Sequence, residues 1–227
     1  MAGKAKTTQN VPHSRQIVAK LKEMIVNNEL PAGATFLESE LAEMVGVSRT
    51  PVREAIISLE AQGLVKSKPR RGIRILGVSA NDMQEIYQLL TELEALAAEL
   101  AAGKGHDEAE LEEAEAAITA MDEALAIDDR EAWAEADDKF HAELIRLSGN
   151  ARLQNVVQMY IDQSKRVRLL TLYLRPAPVQ SNKDHRAVLD AIRNGDAEGA
   201  KVTHRRHRVQ AGKMLIDLLR TLKFAQM

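Results

Sequence analysis

Beyond a polar stretch at residues 1–12, expected to be a frayed tail, apolar side chains fall at Ile17, Val18, Leu21, Met24 and Ile25. That spacing marks one face of a helix. Pro31 and Gly33, within NNELPAGATF, predict its stop. A short second helix fits LESELAEMV and ends at Gly46. Ser48 then reads as an N-cap, and Pro51 falls in the first turn, where a missing N–H costs little. The third helix is expected to run to about Gln62, with Gly63 just past its end. LVKSK and IRIL, two short alternating segments around PRRG, predict a β-hairpin.

After GVSANDM the texture changes. Ile86, Leu89, Leu90, Leu93, Ala97 and Leu100 mark a long helix, broken at AAGKGHD. A very acidic helix follows over about 108–126, and another near 129–148 closed by Gly149. A fourth covers 151–174 and stops at RPAPV; a fifth covers about 180–194 and ends at NGD; a sixth covers about 197–220. This part shows no strand pattern and no short repeat. The expected fold is mainly α. A winged helix-turn-helix of three helices and a hairpin wing spans 13–76, a linker 77–81, an all-α six-helix bundle 82–221, and a tail 222–227.

Composition narrows the classes. Apolar residues make up 45% of the 227, enough to build cores. Cysteine is absent, which excludes disulfides, cysteine zinc sites and a thiol nucleophile. The start lacks an apolar segment and no 18-residue apolar run occurs, so a cytoplasmic protein with no membrane contact is expected. The net charge of −2 conceals an asymmetry. Residues 1–76 carry 12 Lys and Arg against 7 Asp and Glu, a net of +5, and the remainder a net of −7. A basic front on an acidic body assigns any polyanion to the front. Aromatics, at 3%, are too few for a stacking platform for single-stranded nucleic acid.

In a winged helix-turn-helix the third helix enters the major groove of double-stranded DNA, its N-terminal residues toward the bases. GVSRTPVREA supplies the chemistry. Arg49 and Arg53, one turn apart on one face, can each give two parallel hydrogen bonds to a guanine or grip phosphate. Ser48 and Thr50 sit where a helix start favours an anion. The hairpin tip KSKPRRG adds Arg71, and Gly72 lets the backbone approach closely. Two arginines four apart would by themselves describe a solvated surface helix; the whole ordered set in a basic domain points to DNA.

Three histidines and an aspartate form a second constellation. Asp137 and His141 share one helix face at i and i+4. His185 lies 10 residues before Gly195 and His207 lies 11 after Asp196. At a rise of ~1.5 Å per residue, both stand roughly 15 Å from that turn, level in an antiparallel pair. Three imidazoles and a carboxylate suit zinc, nickel or manganese, and helix bundles hold such sites. A lone histidine on a helix is usually filler, and His204 fits the spacing nearly as well as His207.

LPAGATFLESELAEMVGVSRTPVREAIISLEAQGLVKSKPRRG resembles the DNA-binding domain of the GntR family of bacterial transcription regulators. The resemblance implies base and phosphate contacts from Arg49, Thr50 and Arg53, with Gly72 in the wing. DKFHAELIRLSGNARLQ and DHRAVLDAIRNGDAEGAKVTHRRH resemble the FCD domain of the FadR-type branch, closest to its six-helix, VanR-like group. That resemblance implies Asp137, His141, His185 and His207 as metal ligands. Two departures stand out. Ser39 holds a place where the family often has arginine, and Leu90 replaces the arginine of an R-x-x-x-E pattern that here keeps only Glu94. Arg166 and Arg168, with Asn150, are read as substitutes that face the effector. The expectation is a regulator, not an enzyme: a repressor that binds a palindromic operator as a homodimer and answers to a small anion, a carboxylate or sugar acid. The rivals are a metal-dependent hydrolase with a helical active site and a DNA-binding protein without an effector. Against the hydrolase, HExxH is absent and no residue is placed as general base.

Overall fold

The computed structural model describes residues 13–68 and 71–222, and the chain divides after Gly77 into two compact units. In the first unit, α1 (His13–Val26), α2 (Glu38–Val45) and α3 (Arg49–Ala61) combine with β1 (Thr35–Phe36), β2 (Val65–Lys68) and β3 (Gly72–Ile75). The apolar stripe of α1 is the buried one. Ile17, Leu21, Met24 and Ile25 pack in one core with Leu41, Val52, Ile56, Leu59, Val65, Ile73 and Ile75. The turn from α2 to α3 depends on Gly46, whose φ of 77° lies in the left-handed region. The N–H groups of Gly46 and Val47 both return to the Ala42 carbonyl at 3.0 Å.

β1 is a third strand that the pattern did not predict, since two residues carry no period. It exists because neighbours of the Pro31–Gly33 break pair with β3: Gly33 N–H donates to the Ile75 carbonyl and Ile75 N–H to that of Ala34, each at 2.9 Å. The sheet order is β1-β3-β2, all antiparallel. This pairing gives Gly72 a structural cause. Its φ is +86°, and a Cβ there would stand 2.5 Å from the Phe36 carbonyl oxygen. The predicted closeness of backbone at Gly72 is therefore met within the sheet. Pro69 and Arg70, part of the expected hairpin turn, lie outside the described residues.

In the second unit, six α-helices stand among the described residues: α4 (Ala80–Ala102), α5 (Glu108–Ala126), α6 (Arg130–Leu147), α7 (Ala151–Leu170), α8 (Val179–Arg193) and α9 (Ala197–Thr221). None of these helices is long and apolar enough to cross a membrane. Their starts follow the polar residues before them. The side chains of Ser79, Asp107, Asp129, Asn150 and Asp196 each accept a backbone N–H of the helix that follows. Ser79 and Asp82 cap reciprocally, so α4 begins two residues before the expected 82. α7 stops at Leu170, short of the expected 174, and a 3-10 turn covers Leu172–Leu174. Thr171 marks the change: its hydroxyl donates back to the Val167 carbonyl at 2.7 Å.

Two apolar clusters hold these helices. One gathers Ile118, Met121, Trp133, Phe140, Leu144, Val188 and Leu189 from α5, α6 and α8. The other gathers Met83, Leu90, Ile145, Val157, Leu215 and Leu219 from α4, α6, α7 and α9. Leu90 is 0% exposed. The place where the family often has arginine is thus a core position here. A polar chain also crosses the bundle: Trp133 Nε1 donates to Asn182 Oδ1 at 2.8 Å, and Asn182 Nδ2 to Asp122 Oδ1 at 2.7 Å.

Candidate nucleic-acid interface and candidate metal centre

On α3 the two faces are distinct. Val52, Ala55, Ile56 and Leu59 are buried, while Arg49, Thr50, Arg53 and the preceding Ser48 are exposed. Ser48 has the extended backbone of an N-cap, but its hydroxyl makes no capping bond. The first turn of α3 therefore keeps N–H donors that an oxygen anion can fill. Arg53 Nε donates to Glu38 Oε1 at 3.1 Å, which ties α3 to α2. An exposed pair of this kind contributes little stability, but it restricts where the guanidinium points. On the sheet, Lys66 and Arg74 are directly opposed across β2 and β3, and both are exposed. Like charges so placed repel, and a phosphate relieves that. Arg71 is exposed in the turn before β3.

In the second unit the chemistry is buried. α6 contributes Asp137 and His141, α8 contributes His185, and α9 contributes His204 and His207; all are at most 5% exposed. Asp137 divides its carboxylate. Oδ2 accepts from Arg168 Nη2 at 2.7 Å, while Oδ1 lies 3.7 Å from both His141 Nε2 and His185 Nε2. His185 Nε2 and His207 Nε2 are 3.2 Å apart. Ligand atoms about 2.1 Å from one ion and 90–110° apart stand roughly 3.0–3.4 Å from each other. Asp137, His141, His185 and His207 therefore converge within the range a single divalent ion needs. The residues fit.

The far side of the rings is also ordered. Glu94 Oε2 lies 2.8 Å from His141 Nδ1 and 3.0 Å from His204 Nε2, and Arg208 Nη2 lies 3.3 Å from Glu94 Oε1. Asp184 Oδ2 is 3.6 Å from His207 Nδ1. A carboxylate behind a ring fixes the tautomer whose other nitrogen has a lone pair for metal. Glu94, His141 and His204 also form a group of metal-ligating type. Their separations, however, are hydrogen-bond lengths around one shared oxygen, so this set supports the first. Spacing left His204 and His207 level; their neighbours tell them apart, since His204 faces Glu94 while His207 faces His185.

Burial dominates the electrostatics. It lowers the basicity of His185, His207 and His204, the last to a pKa of about 3 although Glu94 opposes the shift. Neutral imidazoles are the form that binds metal. Burial alone would raise the Glu94 pKa, but Arg208, His141 and His204 outweigh it and hold the group well below the usual carboxylate range.

A cavity of about 210 Å³ opens beside these residues, lined by Asp137, His141, His207, Trp133, Arg168 and Arg175 among others. Of the residues read as facing an effector, Arg168 lines it; Arg166 and Asn150 do not. Asn150 instead caps α7, accepting from Leu153 N–H at 3.1 Å. Arg168 is held by Asp137 and by Asp138, the latter at 2.9 Å from Nη1. Sequence reasoning missed the parts played by Glu94, Asp184, Arg175 and Arg208. Glu94 had a signal: it is a carboxylate on the stripe Leu90, Ala97, Ala101 of α4, and a charge on a buried stripe needs partners.

An exposed basic reading helix in a winged unit, followed by a helical unit with a buried polar centre, defines a DNA-binding protein with a small-molecule-binding domain. The comparisons agree. Residues 13–75 match the family described as "Bacterial regulatory proteins, gntR family", and residues 85–210 match the FCD domain. The chain is 32% identical over 86% of its length to an uncharacterized HTH-type transcriptional regulator, YdhC, of Bacillus subtilis (strain 168), covering 88% of that protein. It is 33% identical to a probable D-xylose utilization operon transcriptional repressor of Paenarthrobacter nicotinovorans, over 79% of each chain. Its fold resembles the solved E. coli McbR/YncC, with a TM-score of 0.77 over 90% of this chain and 97% of that one at 22% identity. The protein belongs to the GntR family of bacterial transcriptional regulators, with a C-terminal FCD domain. These relatives are regulators, not enzymes, which removes the hydrolase alternative.

Proposed function

We propose that the protein is a metabolite-responsive repressor that binds a palindromic operator as a homodimer, with Ser48, Arg49, Thr50, Arg53, Arg71 and Gly72 at the DNA. In its helical unit Asp137, His141, His185 and His207 hold one divalent ion, zinc, nickel or manganese, beside a pocket for a small anionic effector. When bound, the ion supplies coordination positions for water or acid oxygens. The observation that carries this reading is the convergence of Asp137 Oδ1 with imidazoles from three helices at the wall of a cavity. Asp137 keeps that oxygen available because Arg168 takes the other. The effector acts by binding one arrangement of the DNA-binding heads better than another, since only differential affinity shifts a population. Couplings of about 1–3 kcal/mol are usual.

Elemental analysis tests the metal reading. Near one ion per chain is expected in the wild type and in His204→Ala, with much less in His141→Ala and His207→Ala. Full metal in His207→Ala sinks the ligand set. Sedimentation of the protein with and without a palindromic duplex checks the dimer, and a single copy on that duplex overturns it.

A further inference from the structure

Four arginines line the cavity: Arg130, Arg168, Arg175 and Arg208. Three have acidic partners. Arg130 Nε donates to Asp128 Oδ1 at 2.5 Å, and Arg168 is shared between Asp137 and Asp138. Arg208 meets Glu94 and stacks 4.9 Å over the Tyr87 ring. Arg175 has no carboxylate within ion-pair distance among the described residues. Its Nε and Nη2 donate only to backbone carbonyls, those of Thr171 at 3.4 Å and Arg168 at 2.8 Å. Those two bonds fix the plane of the guanidinium, and Nη1 makes no hydrogen bond to the described residues. Burial, and then the like charge of Arg168, push the Arg175 pKa down, the sign of a cation whose compensation is incomplete.

We propose that Arg175 anchors the acid group of the effector, and that the effector is a small dianion. The proposal rests on the regulator and metal reading above. Charge balance gives the valence. The four cavity arginines are matched by Asp128, Asp137, Asp138 and Glu94, and the imidazoles are neutral. A divalent ion then leaves two positive charges uncompensated inside the protein. One acid group can complete the shell of the ion, and a second can meet the free edge of Arg175, where a planar fork binds a carboxylate through two parallel bonds. Size agrees. About 210 Å³ is below the ~300–1,000 Å³ of pockets for drug-sized ligands, which suits a short dicarboxylate and not a fatty acyl chain or a nucleotide. The local sequence supports a rigid anchor. Arg175 opens RPAPV, and Pro176 and Pro178 line the same cavity with their φ angles fixed by the ring. An anchor already ordered before binding loses little entropy on binding.

Trp133 is the single tryptophan of the chain and lines the cavity, so its fluorescence reports occupancy. The test uses zinc-loaded full chain titrated with malonate, succinate, tartrate and acetate, with metal content and melting temperature measured for every variant. In the wild type at least one dicarboxylate should bind about 10-fold or more tightly than acetate. Arg175→Gln should weaken that dicarboxylate by roughly 10–100-fold, the scale of a charge-assisted contact. Its metal content and acetate binding should change by less than about threefold. Arg175→Lys keeps the charge without the fork and should fall between the two; it also serves if the glutamine variant does not fold. Dicarboxylate affinity unchanged in either variant overturns the anchor. A zinc-loaded wild type that binds no dicarboxylate better than acetate overturns the dianion. A wild type that takes up no metal fails the underlying reading, and the Arg175 comparison, run on the metal-free chain, still decides the anchor.

Discussion

Arg49 and Arg53 stand on one exposed helix face, supplied by a single run of ten residues, GVSRTPVREA. Asp137, His141, His185 and His207 are buried and come from three helices. An exposed arginine remains hydrated in the free protein, so the fold is nearly indifferent to it and its value lies in what it meets. A buried carboxylate loses its water, so it must be matched from inside. Asp137 accordingly brings Arg168, and His141 brings Glu94, which in turn brings Arg208 and His204. In the first unit recognition can change without retuning the fold. In the second, each residue of the centre is also a term in stability.

The strongest challenge to this contrast is Glu94→Ala. It strands Arg208 and two rings in the interior, and removing one partner of a buried charged set typically costs about 3–5 kcal/mol. Denaturant titration should show that loss together with weakened metal uptake; a variant as stable as the wild type would erase the distinction between the units. Next in size is Arg49→Ala. It should cost about 1–3 kcal/mol per half-site in operator affinity, with unfolding stability within about 0.5 kcal/mol of the wild type. A stability loss larger than the binding loss would place Arg49 among structural residues. The smallest effect belongs to Ser48→Ala. N-cap serines usually contribute ~0.5–2 kcal/mol, but this hydroxyl makes no capping bond, so stability should fall by less than about 0.5 kcal/mol while operator binding weakens. A full capping loss would show that Ser48 serves the helix.

The same contrast explains what the sequence made legible. The reading helix could be found because cap, turn and arginines are contiguous, and helix spacing alone shows which of them share a face. The buried centre could be only half found. Asp137 and His141 are four apart on one helix, and the Gly195 turn brings His185 level with α9. His204 and His207, three apart, both point inward, and only the third dimension puts Glu94 opposite one and His185 opposite the other. β1 was missed because its two residues pair through backbone alone. Arg175 was passed over because it sits in a Pro-rich connection with no periodicity, and Asn150 was misplaced because a cap and a ligand group look alike in sequence.

Glu94 and His204 lie 110 residues apart in the chain yet share a hydrogen bond. That separation constrains how the protein is made. At ~5–20 residues per second, a ribosome needs roughly 5–20 s to deliver α9 after α4 has emerged. Throughout that interval Glu94 lacks both His204 and Arg208, and burying its carboxylate without them is strongly unfavourable. The apolar stripe of α4 is thus held open by one hydrated charge on it. The helical unit closes only when its last helix arrives, so an incomplete chain cannot settle into a compact bundle around an empty place for α9.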